Sequence, residues 1–245
     1  MRIALLLLAF AAAQDKKPAA PRATVARPLT VEAGRKTKLT VRGHNLDGLT
    51  GVRMHEPKSK ASLAGKPAKV AVAANHPAER VGDWEVDVEL DLAAEIPGGW
   101  VAFSLVGPGG ESNAVKVALA DGTPRVAEKE PNDNLRQPQI VALPCAIDGT
   151  IKQDRDVDAF RFDGKKGDVV RLEVQAARFG SPLDAMLTLY DADRRIIDSC
   201  DDFEGGADPV LVVTLPKDGA YTLVLIDVND LGGPPFAYRL LLRKP

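Results

Sequence analysis

Residues 128–134 read EKEPNDN and place Glu128, Glu130, Asn132 and Asp133 around one proline. In an extended chain the side chains at i, i+2 and i+4 share a face, so Glu128, Glu130 and Asn132 point the same way. A straight strand spreads those positions over roughly 13 Å. That is too far for one ion with ligands at ~2.4 Å, so the chain must also bend. Pro131 restrains Glu130 to extended geometry, and Pro131-Asn132-Asp133 suits a bend. Converging carboxylate and amide oxygens suit a hard cation, and calcium fits better than zinc, which prefers nitrogen and sulfur. A second cluster, QDRDVDAF, sets Asp154, Asp156 and Asp158 on one side of a strand start. Like charges so placed repel unless neutralised. Arg155 and Arg161 are candidate neutralisers, and a solvated strand end is the plain alternative. Taken together, Glu128, Glu130, Asn132, Asp133, Asp156 and Asp158 form a candidate calcium site. A further acidic group, Asp198, Asp201, Asp202 and Asp208 with Asp184 upstream, is read either as a second cation site or as a loop held by side-chain to backbone hydrogen bonds.

The elements that must position these groups are strands. In TKLTVRG and DWEVDVELDL apolar and polar residues alternate, which marks strands with one wet face. Glu85, Asp87, Glu89 and Asp91 are that wet face. Further runs at 68–73, 100–106 and 114–119 are separated by turns such as Pro97-Gly98-Gly99, the pattern of a small β-sandwich. The second half supplies AIDGTI, DAFRF, DVVRLEV, DAMLTLYD, RRIIDS, PVLVVTL, AYTLVLID and FAYRLLL, about eight strands, for which a jelly roll is the natural packing. The expected fold is all-β, two β-sandwiches in tandem, immunoglobulin-like then jelly-roll. ALADGTPRV breaks the alternation between them. A leader over 14–28, rich in Lys, Pro and Ala, reads as extended and poorly ordered, followed by one sandwich over 29–120 and another over 127–245.

A chain of 245 residues with 32 basic and 34 acidic side chains projects no long-range field toward nucleic acid or anionic lipid. MRIALLLLAFAAAQD reads as a secretory signal peptide over residues 1–13, and no later segment is apolar enough to span a membrane. Export makes Cys145 and Cys200 candidates for a disulfide, with two buried free thiols as the alternative. His44, His55 and His76 stand beside turn signals, outside any catalytic motif. Trp84 and Trp100 lie in or next to the apolar phase of their strands, which favours core packing over sugar stacking.

The residues from Ala127 to Pro245 resemble the bacterial pre-peptidase C-terminal domain, a family that includes the collagen-binding domains of bacterial collagenases. The matching features are E-x-EPND at Glu128 to Asp133, G-x-I at Gly149 to Ile151, D-x-D-x-F-x-F at Asp156 to Phe162, SPLDAMLTLYDAD at Ser181 to Asp193, DGAYTLVLID at Asp218 to Asp227 and YRLLL at Tyr238 to Leu242. The resemblance implies a secreted, non-catalytic jelly-roll module, often appended to hydrolases, whose collagenase members bind calcium. It also implies ligands at Glu128, Glu130, Asn132, Asp133 and Asp158, with Thr150 at a possible ligand position. Arg155 occupies another, for which Asp154 or Asp156 could substitute. Residues from about Thr24 to Ala120 are similar to immunoglobulin-like, transcription-factor-type modules through VEAGRKTKLTVRGHNL and GPGGESNAVKVAL. The expected function is that of a secreted interaction protein stabilised by calcium, with an extracellular protein or polysaccharide as ligand. The alternative is an accessory component that targets or stabilises a secreted hydrolase.

Overall fold

A computed structural model describes residues 18–244. The expected signal peptide lies outside them. Two sandwiches follow one another along the chain. The first is built from β1 (Arg22–Arg27), β2 (Thr30–Val31), β3 (Lys36–His44), β4 (Gly51–Met54), β5 (Lys60–Leu63), β6 (Ala68–Lys69), β7 (Trp84–Asp91), β8 (Trp100–Gly107), β9 (Gly110–Glu111) and β10 (Val115–Leu119). Its sheets run β1-β3-β7-β5 and β2-β10-β8-β4. This is the immunoglobulin-like strand order, first and second strands beside the later pair in one sheet and the closing strands in the other. Val41, Val86, Val88, Phe103, Leu105 and Val117 fill the space between them. The acidic wet face of β7 meets bases and hydroxyls across the ladder, with Lys36 opposite Asp91, Thr40 opposite Asp87 and Arg42 opposite Glu85.

The second sandwich comprises β11 (Arg125–Ala127), β12 (Gln139–Ile140), β13 (Cys145–Thr150), β14 (Asp158–Gly164), β15 (Val169–Gln175), β16 (Ala185–Tyr190), β17 (Ile196–Cys200), β18 (Val210–Thr214), β19 (Gly219–Asp227) and β20 (Ala237–Arg243). The orders are β11-β13-β20-β15-β18 and β12-β14-β19-β16-β17. Counting the eight main strands from β13, the first pairs with the eighth and the second with the seventh, which is a jelly roll. Phe160, Phe162, Leu187, Tyr221, Leu223 and Leu240 lie at the centre of its core.

Two expectations are corrected. The leader reading fails at Arg22–Arg27, which form β1 antiparallel to β3, because Ala23, Val25 and Ala26 are buried. The second sandwich starts at Arg125 through the parallel pairing of β11 with β13.

The sandwiches touch. Val25, Leu29, Ala118, Phe179 and Ala237 form a small apolar cluster drawn from both. Around it Thr30 Oγ1 donates to Asp148 (2.6 Å) and the buried Arg239 donates to Leu119 O (3.2 Å). Asp154 accepts from Asn75 Nδ2 (2.7 Å), and His76 Nε2 lies 3.1 Å from its other oxygen. The shared contact needs close backbone approach at Gly180, where a Cβ would run into Thr24 O.

Candidate metal centre

The stretch after β11 and the start of β14 are tied together by Ala159 N donating to Asn132 O (2.9 Å). That bond brings the two acidic clusters to one place. Oxygens of Glu130, Asp156 and Asp158 lie within 4.8 Å of one another, the separation of two oxygens on opposite sides of an ion with ligands at ~2.4 Å. Asp158 and Asn132 are fully buried. Asp158 Oδ1 and both side-chain polar atoms of Asn132 lack a hydrogen-bond partner, which costs about 1–3 kcal/mol per group unless something satisfies them. Unpartnered buried oxygens with three gathered carboxylates fit a hard cation.

Glu128 is outside this group of three. Its Oε2 accepts from Thr150 N (3.1 Å), and its Oε1 meets the Tyr238 hydroxyl, which also lies 2.6 Å from Asp158 Oδ2. A phenol has one proton to donate, so contact with both acids requires a further proton on a carboxyl group. Burial, with the Glu128 charge beside it, accordingly pushes the Asp158 carboxyl up to about 9. Burial also raises Glu128, and raises Tyr238 well above the ordinary phenol range. Glu130 bonds to Asn132 N (3.1 Å) and pairs with Lys152 Nζ (3.1 Å). Asp156 accepts from Lys152 N (2.6 Å) and Val157 N (3.1 Å).

The remaining site expectations separate. Asp133 is exposed and lines the neighbouring cleft. The slight desolvation it does suffer and the neighbouring Glu130 charge raise its carboxyl above the ordinary value. Asp154 points to the first sandwich, and Arg155 N donates to Asp230 O (3.0 Å) with φ at 64°. Tyr238 and Lys152 are the participants that sequence reasoning missed. The signal for Tyr238 was the register: it faces Gly149 across β13 and β20, and only a residue without a side chain leaves room for its ring.

The second acidic group does not gather. Asp208 is buried and accepts from the N–H groups of Ala176 (3.0 Å), Ala177 (2.7 Å) and Arg178 (3.2 Å), plus Arg178 Nε (2.5 Å). Asp184 accepts from Asn229 (3.0 Å), Asp198 from Ser199 N (2.9 Å) and Asp201 from Asp202 N (3.0 Å). Asp202 is exposed. Asp208 and Asp184 thus bond across the fold, to residues 30 to 45 positions away, and Asp198 and Asp201 bond to the next residue. Asp208→Ala should therefore cost about 3 kcal/mol by leaving buried N–H groups unsatisfied. Urea unfolding checks it, and a loss within experimental error would contradict it.

Cys145 and Cys200 are free thiols, which corrects the disulfide expectation. They come from opposite sheets, Cys145 beside Leu242 and Cys200 beside Leu187. Burial pushes the Cys145 thiol up to about 11, so it behaves as a core apolar group. Trp100 is also corrected: it is 49% exposed. With Val101 inward, the alternation of β8 turns Trp100 out, where the Lys116 ammonium lies 4.9 Å from the ring centroid. The histidines are divided among different partners, His55 with Ser104 Oγ (3.0 Å), His76 with Asp154 and His44 with Asp83 (3.2 Å).

No family model matches the chain. Over 105 residues it is 34% identical to a probable subtilase-type serine protease of Deinococcus radiodurans, covering 42% of this chain and 14% of that protease. Among solved structures, the pre-peptidase C-terminal domain of a Bacillus anthracis collagenase aligns over 50% of this chain and 100% of its own, at 14% identity and a TM-score of 0.36. The secreted serine protease VesC of Vibrio cholerae aligns over 92% of this chain and 51% of its own, at 9% identity and a TM-score of 0.31. No helix among the described residues is long and apolar enough to cross a membrane.

Proposed function

We propose that this chain is a secreted, non-catalytic binding protein of two sandwich domains whose jelly roll is held by calcium. The observation that carries the reading is that Asp158, whose oxygens gather with those of Glu130 and Asp156, has a buried Oδ1 without a hydrogen-bond partner, as has the buried side chain of Asn132. Those residues would hold the ion, with Glu128 and Asp133 at the edges of the set. Calcium supplies positive charge that neutralises the acids and ties the stretch after β11 to the start of β14. Tyr238 orients Glu128 and Asp158, and Lys152 restrains Glu130. Magnesium should substitute poorly, because its small octahedral shell tolerates crowded carboxylates badly.

Thermal melts with calcium and with chelator test the proposal. At about 100 times its dissociation constant calcium adds roughly 2.7 kcal/mol of stability, and Glu130→Gln should shrink that gain. Identical melts in the two conditions would remove the proposal. The segment shared with the Deinococcus protease supports a second reading, an accessory component that targets or stabilises a secreted hydrolase. Co-purification with a protease separates the two.

A further inference from the structure

Resting on the binding-protein reading, we infer that the outer face of the β12-β14-β19-β16-β17 sheet is a docking surface for an extended acidic peptide carrying aliphatic side chains. The register aligns one residue from each strand in a row: Ile140 opposite Arg161, Arg161 opposite Thr222, Thr222 opposite Tyr190 and Tyr190 opposite Ile196. Directly paired residues lie on the same side of a sheet. Here it is the side away from the core, since Phe160 and Phe162 on either side of Arg161 point inward. Ile140 is 80% and Ile196 62% exposed. The row thus offers one aliphatic contact at each of its two ends.

Charge selects the kind of partner. Arg136, from the segment before β12, and Arg194, from the turn after β16, meet Tyr190 in a cleft of about 590 Å³. Arg161 and Arg194 line its continuation beside Tyr190 and Thr222. Among the described residues none of these three guanidinium groups has a carboxylate within 4.0 Å. Two acids line the same clefts: Asp191, which pairs with Lys217 (3.1 Å), and the exposed Asp133. Three arginines from separate elements outnumber the one lining acid that is outside a salt bridge, Asp133, which favours an anionic partner, and the guanidinium fork matches carboxylates. Five strands span about 19 Å, the length of roughly six extended residues. A peptide with aliphatic residues near its ends and acidic residues between them would then meet the isoleucines at the two ends of the row and the arginines within and beside it. A uronate polysaccharide would match the arginines but leave both isoleucines uncovered.

The test uses the full chain in calcium, with fluorescence anisotropy of a labelled peptide that has valines near its ends and glutamates between them. A glutamine–valine peptide and polygalacturonate serve as the other arms. The expected result is saturable, salt-sensitive binding of the acidic peptide alone, weakened at least about tenfold by the combined Arg136→Ala, Arg161→Ala and Arg194→Ala changes. Arg161→Lys, which keeps the charge and the fold, should weaken it to a smaller degree. Equal binding by the triple variant, a preference for polygalacturonate, or no binding by any probe would overturn the inference. None of the three arginines belongs to the proposed calcium ligands, so the calcium-dependent melt is read in the same samples. A preserved melt shift without peptide binding defeats this inference alone, whereas an absent shift defeats the calcium reading.

Discussion

Stripped of divalent cations, the protein should be more stable near about pH 5 than near about pH 8, and calcium should reverse that order. Burial and the Glu128 charge push the Asp158 carboxyl up to about 9, against about 3.9 in an unfolded chain. Between those values the folded chain holds a proton that the unfolded chain releases, so stability falls as the pH rises and is fully present only below about pH 4. Glu128, also raised by burial, contributes with the same sign. Tyr238 keeps its proton throughout this window, and Lys152 stays charged beside Glu130. The expected loss across the window is on the order of a few kcal/mol. On the proposed calcium reading the ion would take the place of the proton, with binding that strengthens as the acids ionise. Melting curves at the two pH values, each with calcium and with chelator, give four numbers. A chelated protein that gains stability toward pH 8 would contradict the coupled Glu128–Tyr238–Asp158 arrangement.

The second large effect concerns Gly149. It lies opposite Tyr238 in the β13–β20 ladder. A Cβ built there would collide with the Tyr238 ring and hydroxyl and come within 2.6 Å of Glu128 Oε1. Neither neighbour can yield freely, because Tyr238 is 1% exposed and held between two acids. Gly149→Ala should therefore cost about 3 kcal/mol, the upper range for overpacking, and should weaken calcium binding at the same time. Gly51→Ala is the control, since open space surrounds Gly51 and its φ is not in the left-handed region. Denaturant unfolding of both variants checks the contrast. Equal losses would show that the crowding at Tyr238 is not the cause.

The alternation of residues in DAFRF, DVVRLEV and AYTLVLID was enough to expect a jelly roll, because each strand buries one face and wets the other. The two-residue β12 escaped notice since it has too few residues to show a period, although it completes the sheet at Ile140. The acidic stretch was legible as a group of oxygen donors from Glu128 to Asp133 and from Asp156 to Asp158. Sequence spacing could not decide that Asp133 would turn outward, nor that Asp154 would be spent on Asn75 and His76 of the other sandwich. Those outcomes depend on long-range packing. Tyr238 is 110 residues from Glu128, and only the pairing of β13 with β20 reveals their meeting. Asp208 shows the converse case, an acid whose neighbours in sequence suggested an ion and whose partners are the N–H groups around Ala177.

Calorimetric titration of the full chain with calcium near neutral pH, repeated in buffers of different protonation enthalpy, tests the metal centre most directly. One saturable site is expected, with proton release as the ion displaces the proton shared by Glu128, Tyr238 and Asp158, and with both signals lost in Asp158→Ala. A flat trace, or binding that persists unchanged in that variant, would contradict it.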